Sequence, residues 1–321
     1  MQKISKRTFL RLPLSDYIGL TIYLSMTVWY LFFYYGFVEC QATATGWLVS
    51  AWNPETDYEH GWMVPLLAVY LLSQAVKELK NTPTYPSIHG LWLTAIGGLL
   101  CLLAARTQQG RVAIGALPFL LSGAVWYYWG GKAALKTAFP LFFLWLAIPA
   151  PGFQQATVGL QMLAAKMAHY GATLCGVDTI LDGTNVISAQ GKWDSYNIAG
   201  GCSGIRSLMA LFMFSVAWAY LADKLALWKR LLLGLSALPL AVLANAFRVA
   251  SIFVCAEYIS PSFAGKTWHD WSGLIFFFPA SLAGLVILHG LLSGEIPFLK
   301  KRRTITRRHG EPATEKGEPS A

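Results

Sequence analysis

Cys202 stands in the run Asn197-Ile198-Ala199-Gly200-Gly201-Cys202-Ser203-Gly204-Ile205-Arg206, where a polar loop gives way to a long apolar segment. A thiol at a helix N-terminus lies among backbone N–H groups without intrahelical partners and at the positive end of the helix dipole. Both favour thiolate over thiol. Two further polar residues interrupt the apolar segments downstream: Arg248 in Asn245-Ala246-Phe247-Arg248, and His269 in His269-Asp270-Trp271-Ser272-Gly273. A nucleophile, a cation and a base are thus all present, and the chemistry such a set performs is acyl transfer on a peptide. Cys202 attacks the carbonyl carbon, His269 takes the thiol proton and later protonates the leaving amine, and Arg248 stabilises the oxyanion or the thiolate. Arg206, one turn after Cys202 on the same face, competes for the cation's role and ranks second. Asn245, three residues before Arg248, shares its helical face and could orient the guanidinium or bind a substrate backbone.

Taken singly, each residue has an ordinary reading. Arg248 could be a snorkelling or carbonyl-capping arginine, His269 a loop histidine beside Asp270 and two tryptophans, and Cys202 a small interfacial thiol. Gly201-Cys202-Ser203-Gly204 also fits the GxSG pattern of rhomboid intramembrane serine proteases, with Ser203 as nucleophile. A helix-capping role for Ser203 ranks above that reading.

The elements that must position these residues are membrane helices. Hydrophobic residues make up 55% of the 321 and charged residues 13%, outside the usual balance of a soluble domain. Spanning helices need about 20 mostly apolar residues. The pattern predicts an all-α polytopic membrane protein with about eight transmembrane helices, over roughly 17–38, 61–76, 90–105, 113–130, 133–149, 203–222, 231–256 and 273–293. The first stretch is longer than a signal-peptide core and is read as a retained helix. Lys3, Lys6, Arg7 and Arg11 precede it, and Lys300 to Arg303, Arg307 and Arg308 include six cations after the last one, so the positive-inside rule puts both ends in the cytoplasm. Residues 1–299 form one integral membrane domain and 300–321 a basic, disordered cytoplasmic tail. The net charge of +9 follows from that topology and argues for contact with membrane lipids, not nucleic acid.

Between 151 and 201 the pattern changes. An amphipathic segment near 155–175 precedes two β-branched runs separated by Asp182-Gly183, a hairpin signal. A small extracytoplasmic extended element therefore leads into the Cys202 helix. On this topology Cys202 begins a helix running inward, Arg248 lies about eight residues, or roughly 12 Å, below the outer end of its helix, and His269 occupies the loop that follows. The five cysteines form no CxxC pair and no metal-ligand spacing, so neither metal nor cofactor is expected. Whether Cys40 and Cys175, both near the outer face, form a disulfide stays open.

These residues resemble the exosortase/archaeosortase family, whose hallmark is Cys-Ser-Gly-Ile-Arg, a later Asn-x-x-Arg, and a His with Gly four residues on. Here they are Cys202 to Arg206, Asn245 to Arg248, and His269 with Gly273. Two more segments are similar: Glu59-His60-Gly61-Trp62-Met63-Val64-Pro65, with Glu59 where the family often has Ser, and Phe139 to Pro149. His60 could bind the substrate's polar motif or cap an interfacial helix end. The resemblance implies a bacterial inner-membrane cysteine protease and transpeptidase, with Cys202 as nucleophile and Arg248 and His269 as its partners. Its substrates would be exported proteins bearing a C-terminal sorting signal: a short Pro-Glu-Pro-like motif, a transmembrane helix and a basic cluster. A link to exopolysaccharide production is also implied. The alternative from another class is a transporter or assembly component for exopolysaccharide or lipid, with Arg248 and His269 binding an anion and Cys202 only packing.

Overall fold

A computed structural model describes residues 12–37, 42–80, 83–197 and 205–294. Cys40, Cys202, Ser203 and the basic tail fall outside these ranges, and for Arg206 only the backbone is described.

Each of the eight apolar segments carries a helix. They are α1 (Leu14–Phe33), α3 (Met63–Leu79, entered through a 3-10 turn at Glu59–Trp62), α4 (Gly90–Thr107), α5 (Gly110–Trp129), α6 (Gly131–Phe142), α8 (Ile205–Leu221), α10 (Ala237–Tyr258) and a final helix over Pro261–Ser293. Three more helices, α2 (Ala44–Ser50), α7 (Phe153–Leu174) and α9 (Leu227–Leu235), lie between them. Among the described residues five helical stretches are long and apolar enough to cross a membrane: Glu59–Leu79, Gly90–Thr107, Gly110–Trp129, Leu227–Tyr258 and Pro261–Ser293. The segment expected at 133–149 is not one helix. It carries Pro140, tightens to a 3-10 turn over Phe143–Ala147 and ends before Pro149 and Pro151.

α4 and α5 form the closest pair, and glycine is what lets them approach. A Cβ on Gly123 would lie 2.4 Å from Thr94 Oγ1 and 2.7 Å from its amide nitrogen, and one on Gly90 would meet the Tyr127 amide at 2.3 Å. α7 does the same with alanine: Ala164, Ala165, Ala168 and Ala172 are buried, and Ala165, Ala168 and Ala172 join Val249, Ile252, Phe253 and Ala256 of α10 in one core. A second core gathers Leu208 and Leu211 of α8 with Ala241 and Ala244 of α10 and Phe277 and Leu285 of the final helix.

The predicted hairpin is present. β1 (Thr179–Asp182) pairs antiparallel with β2 (Asn185–Ser188), and Asp182 faces Asn185 across a two-residue turn of Gly183-Thr184. Gly183 has φ +61, as the first central residue of a tight hairpin turn requires, so it stands one place earlier in the turn than an Asp-Gly centre would put it. The sequence gave no signal for a third strand, β3 (Tyr196–Asn197), which pairs with β2 and leads toward Cys202.

α9 ties two helix ends together. Lys229 donates to the Leu292 carbonyl (2.6 Å), and its neighbour Arg230 donates to the Ala219 and Tyr220 carbonyls (2.7 and 2.8 Å). Adjacent cations thus cap the C-termini of the final helix and α8, where the dipole is negative. It follows that these two helices run parallel, with α10 antiparallel to both.

Gly123→Ala should force α4 and α5 apart at a cost of about 1–3 kcal/mol. The expected result is a lower thermal unfolding midpoint in detergent. Gly98→Ala, whose Cβ meets nothing within 4 Å, should leave the midpoint unchanged or raise it slightly.

Candidate active site

Arg248 sits at the centre of α10, 8% exposed, on the face that packs against the final helix. Its Nε donates to Ser272 Oγ (3.0 Å) and its Nη2 to the His269 carbonyl (3.1 Å). Ser272 Oγ also donates to the His269 carbonyl, at 3.1 Å. One guanidinium edge therefore reads both ends of the short helical turn His269–Ser272. Burying a cation is tolerable only where its N–H groups find acceptors, and this turn supplies two.

The turn is shaped for that purpose. His269 was expected in a loop, but it lies within the continuous final helix, because the loop ends at Ser260 and Pro261 opens the helix at its first position. π-helical turns at Ala264–Trp268 and Gly273–Phe277 flank His269–Ser272 on either side. Such turns widen a helix locally and recur at functional sites. A second tie lies one turn along α10: Trp268 Nε1 donates to Ser251 Oγ (3.0 Å), and Ser251 donates back to the Arg248 carbonyl (2.6 Å). Arg248 and Ser251 together fix residues 268 to 272.

The His269 side chain is 26% exposed, and its Nδ1 lies 3.2 Å from Asp270 Oδ1. A proton on Nδ1, donated to that carboxylate, would leave Nε2 with its lone pair. That tautomer is the one a general base needs. Asn245 is 2% exposed and shares the helical face of Arg248.

Arg248 and His269 are thus joined by a hydrogen bond to the histidine's backbone, with Asn245 one turn away. His60 belongs to a different set of contacts. It is 6% exposed, its Nε2 lies 3.3 Å from the Leu146 carbonyl, and its ring is 5.1 Å from that of Tyr58. Around it Trp52 Nε1 donates to the Ala147 carbonyl (2.8 Å) and the Ala150 amide to the Tyr58 hydroxyl (3.0 Å). The two segments with family likeness outside the site, around His60 and Phe139–Pro149, are therefore tied to each other, and the His60 turn packs on α8.

Cys202 and Ser203 lie in 198–204, outside the described residues, but both flanks are described. Asn197 ends β3, and Tyr196 beside it donates to the Pro261 carbonyl (3.2 Å) at the start of the final helix. On the other side Ile205 opens α8, which packs on α10. Among the described residues no group of His, Cys, Asp and Glu could hold a metal ion.

Sequence reasoning missed Ser272, Ser251 and Trp268. Ser272 was the accessible one, because on a helix it lies three residues from His269 on the same face. Reading His269 as loop-borne hid that relation.

A helical membrane protein whose buried arginine locks a histidine-bearing turn of the neighbouring helix is the class these features define. The family model for transmembrane exosortases matches residues 52–287, and the chain belongs to that family. No curated protein and no solved structure matches the chain.

Ser272→Ala should leave Arg248 Nε without its acceptor and cost about 1–3 kcal/mol. Arg248→Lys should cost at least as much although the charge is kept, because an ammonium cannot bridge Ser272 Oγ and the His269 carbonyl as a planar fork does. Thermal unfolding in detergent checks both.

Proposed function

We propose that this protein is a bacterial inner-membrane cysteine protease and transpeptidase that removes the C-terminal sorting signal of exported proteins. The observation that carries the reading is the lock between Arg248 and the His269 turn, in a chain of the transmembrane exosortase family.

Helix lengths support Cys202 as the third member. The carbonyls of Tyr220 and Leu292 are capped by neighbouring residues of α9. Counting back the fifteen residues from Tyr220 to Ile205 corresponds, on the final helix, to Phe277, and Leu208 does pack in one core with Phe277 and Ala244. α8 therefore begins about level with the end of the second π-turn, Gly273–Phe277, eight residues past His269. Cys202 precedes Ile205 by three residues in the chain.

In the reaction, His269 Nε2 takes the Cys202 proton and the thiolate forms a bond to the scissile carbonyl carbon. The carbonyl electrons move to oxygen, and that oxyanion is met by Arg248, two of whose five N–H groups are already fixed by Ser272 and His269. Collapse expels the amine with the proton from His269, leaving a thioester. Water or an acceptor amine then attacks the thioester and frees Cys202. Arg206, in the first turn of α8, is the second candidate for the cation, and Asn245 orients Arg248 or the substrate backbone. The partners are exported proteins carrying a short polar motif, a transmembrane helix and a basic cluster. Eight crossings with both termini in the cytoplasm complete the reading, and they put the site toward the extracytoplasmic face.

The test is the mass of a co-expressed exported protein with a Pro-Glu-Pro-type C-terminal signal. The intact chain should remove the signal helix, and any added mass identifies the acceptor. Cys202→Ala should abolish removal at an unchanged membrane level, and His269→Ala should slow it by about a hundredfold or more. Processing that survives Cys202→Ala but not Ser203→Ala would hand the role to the serine. An unreactive Cys202 thiol together with no processing would favour a transporter.

A further inference from the structure

A groove of about 250 Å³ follows the seam where α9 lies beside α8 and α6. One wall is Phe212 and Val216 of α8 with Phe139 of α6, and the other is Leu227, Leu231 and Leu235, four residues apart along one side of α9. These three leucines are exposed, so the groove opens outward along its α9 edge. At the end where α8 stops, the lining changes character. Arg230 borders the groove there, over the ring of Tyr220 at 6.0 Å, and Tyr220 in turn stacks flat on Phe139 at 4.3 Å and 4°. The bonds to the Ala219 and Tyr220 carbonyls engage Nε and Nη2 and so hold the guanidinium in place.

Other cations gather at this end. Lys229 is next to Arg230 in the chain, Lys224 lies six residues before it, and Lys136 accepts from the Tyr220 hydroxyl through its carbonyl (3.3 Å). Against them stand Asp223 and Glu78, and Glu78 is already paired with Lys136 at 2.8 Å. Apolar walls and a cationic end together define the ligand as an amphiphile with a hydrocarbon chain and an anionic head. Basic recesses between membrane helices suit the headgroups of anionic lipids, and an arginine next to hydrocarbon is stabilised by an anion that meets it. An apolar helix would bring no negative charge to this end, and the basic cluster of a sorting signal would be repelled by it.

We propose that this groove binds one anionic phospholipid from the leaflet that meets this end, with an acyl chain along Leu227, Leu231 and Leu235 and the phosphate held by Arg230. The site lies apart from the arginine and histidine of the candidate active site: Arg230 and Arg248 are eighteen residues apart on the helical stretch Leu227–Tyr258. Its occupancy does not depend on the reaction proposed above.

The test titrates the delipidated full chain in detergent with dioleoyl phosphatidylglycerol, with phosphatidylcholine of the same chains, and with glycerol phosphate, and follows native mass and the thermal unfolding midpoint. One phosphatidylglycerol per chain should be retained and should raise the midpoint saturably. Phosphatidylcholine, without net charge, should bind about fivefold more weakly or worse, and glycerol phosphate, a headgroup without a chain, should not bind. Gly234→Leu fills the groove and leaves every cation. A Cβ there lies 3.8 Å from Ala219 Cβ and from Val216 Cγ2, which are ordinary contacts, so this variant should keep its lipid-free midpoint and lose saturable binding. Arg230→Gln also uncaps α8 and should lower the lipid-free midpoint, so its readout is the preference for phosphatidylglycerol over phosphatidylcholine, which should disappear. Equal retention of the two lipids by the intact chain, or a preference unchanged in Arg230→Gln, overturns the anionic site. Glycerol phosphate binding as tightly as phosphatidylglycerol overturns the role of the chain. Undiminished phosphatidylglycerol binding by Gly234→Leu overturns the groove as the lipid's place, and if that variant also stops removal of the signal helix from a co-expressed exported protein, the groove belongs to that helix instead.

Discussion

A guanidinium held between two apolar helices is the constraint around which the rest of the molecule is arranged. An arginine at this depth is expensive unless its donors are met, and the final helix meets them by departing from α geometry twice. The π-turns before His269 and after Ser272 re-aim the four residues between them, so that the Ser272 hydroxyl and the His269 carbonyl face Arg248 together. The same departure sets the histidine ring, because its backbone is what the arginine grips.

Small residues make this grip possible. Short polar groups reach across a helix pair only when the backbones are close, and α10 presents Ala244 one turn before Arg248 on the side of the final helix. On its other side Ala250 approaches Gly171 of α7 closely enough that a Cβ there would lie 3.1 Å away. α10 is thus wedged between a helix that holds the hairpin and a helix that holds the histidine. Arg248 and Glu257, whose carboxylate bonds Lys192 and Trp193, lie nine residues apart on this helix.

Much of this was legible in the chain, because periodicity and turn chemistry are local. The apolar segments, the amphipathic stretch that became α7 and the Asp182-Gly183 hairpin each carried their own signal. The short strand Tyr196–Asn197 did not, since two residues have no periodicity and their pairing is decided by Trp193 stacking on Phe253, sixty residues away. His269 was misread for a similar reason. Lys266, His269 and Asp270 look like loop composition, but Pro261 at a first helical position, and the arginine waiting across the interface, make helix the better state. The roles of Ser272 and Ser251 depend wholly on that interface, so no window of sequence contains them.

The direction of the helices adds an electrostatic argument that charge counting in loops does not supply. Because Lys229 and Arg230 cap the final helix and α8 from adjacent positions, both helices point their N-termini the same way, toward the end where Glu257 holds the hairpin. α8 turns its N-terminal end toward the widened turns of the final helix. Negative charge is favoured at such a place, and Arg248 adds a full positive charge whose orientation is already fixed. Negative charge placed there would meet a guanidinium that needs no rearrangement, which is the condition under which electrostatic stabilisation is strongest. The cations at the opposite ends of the same helices cap carbonyls.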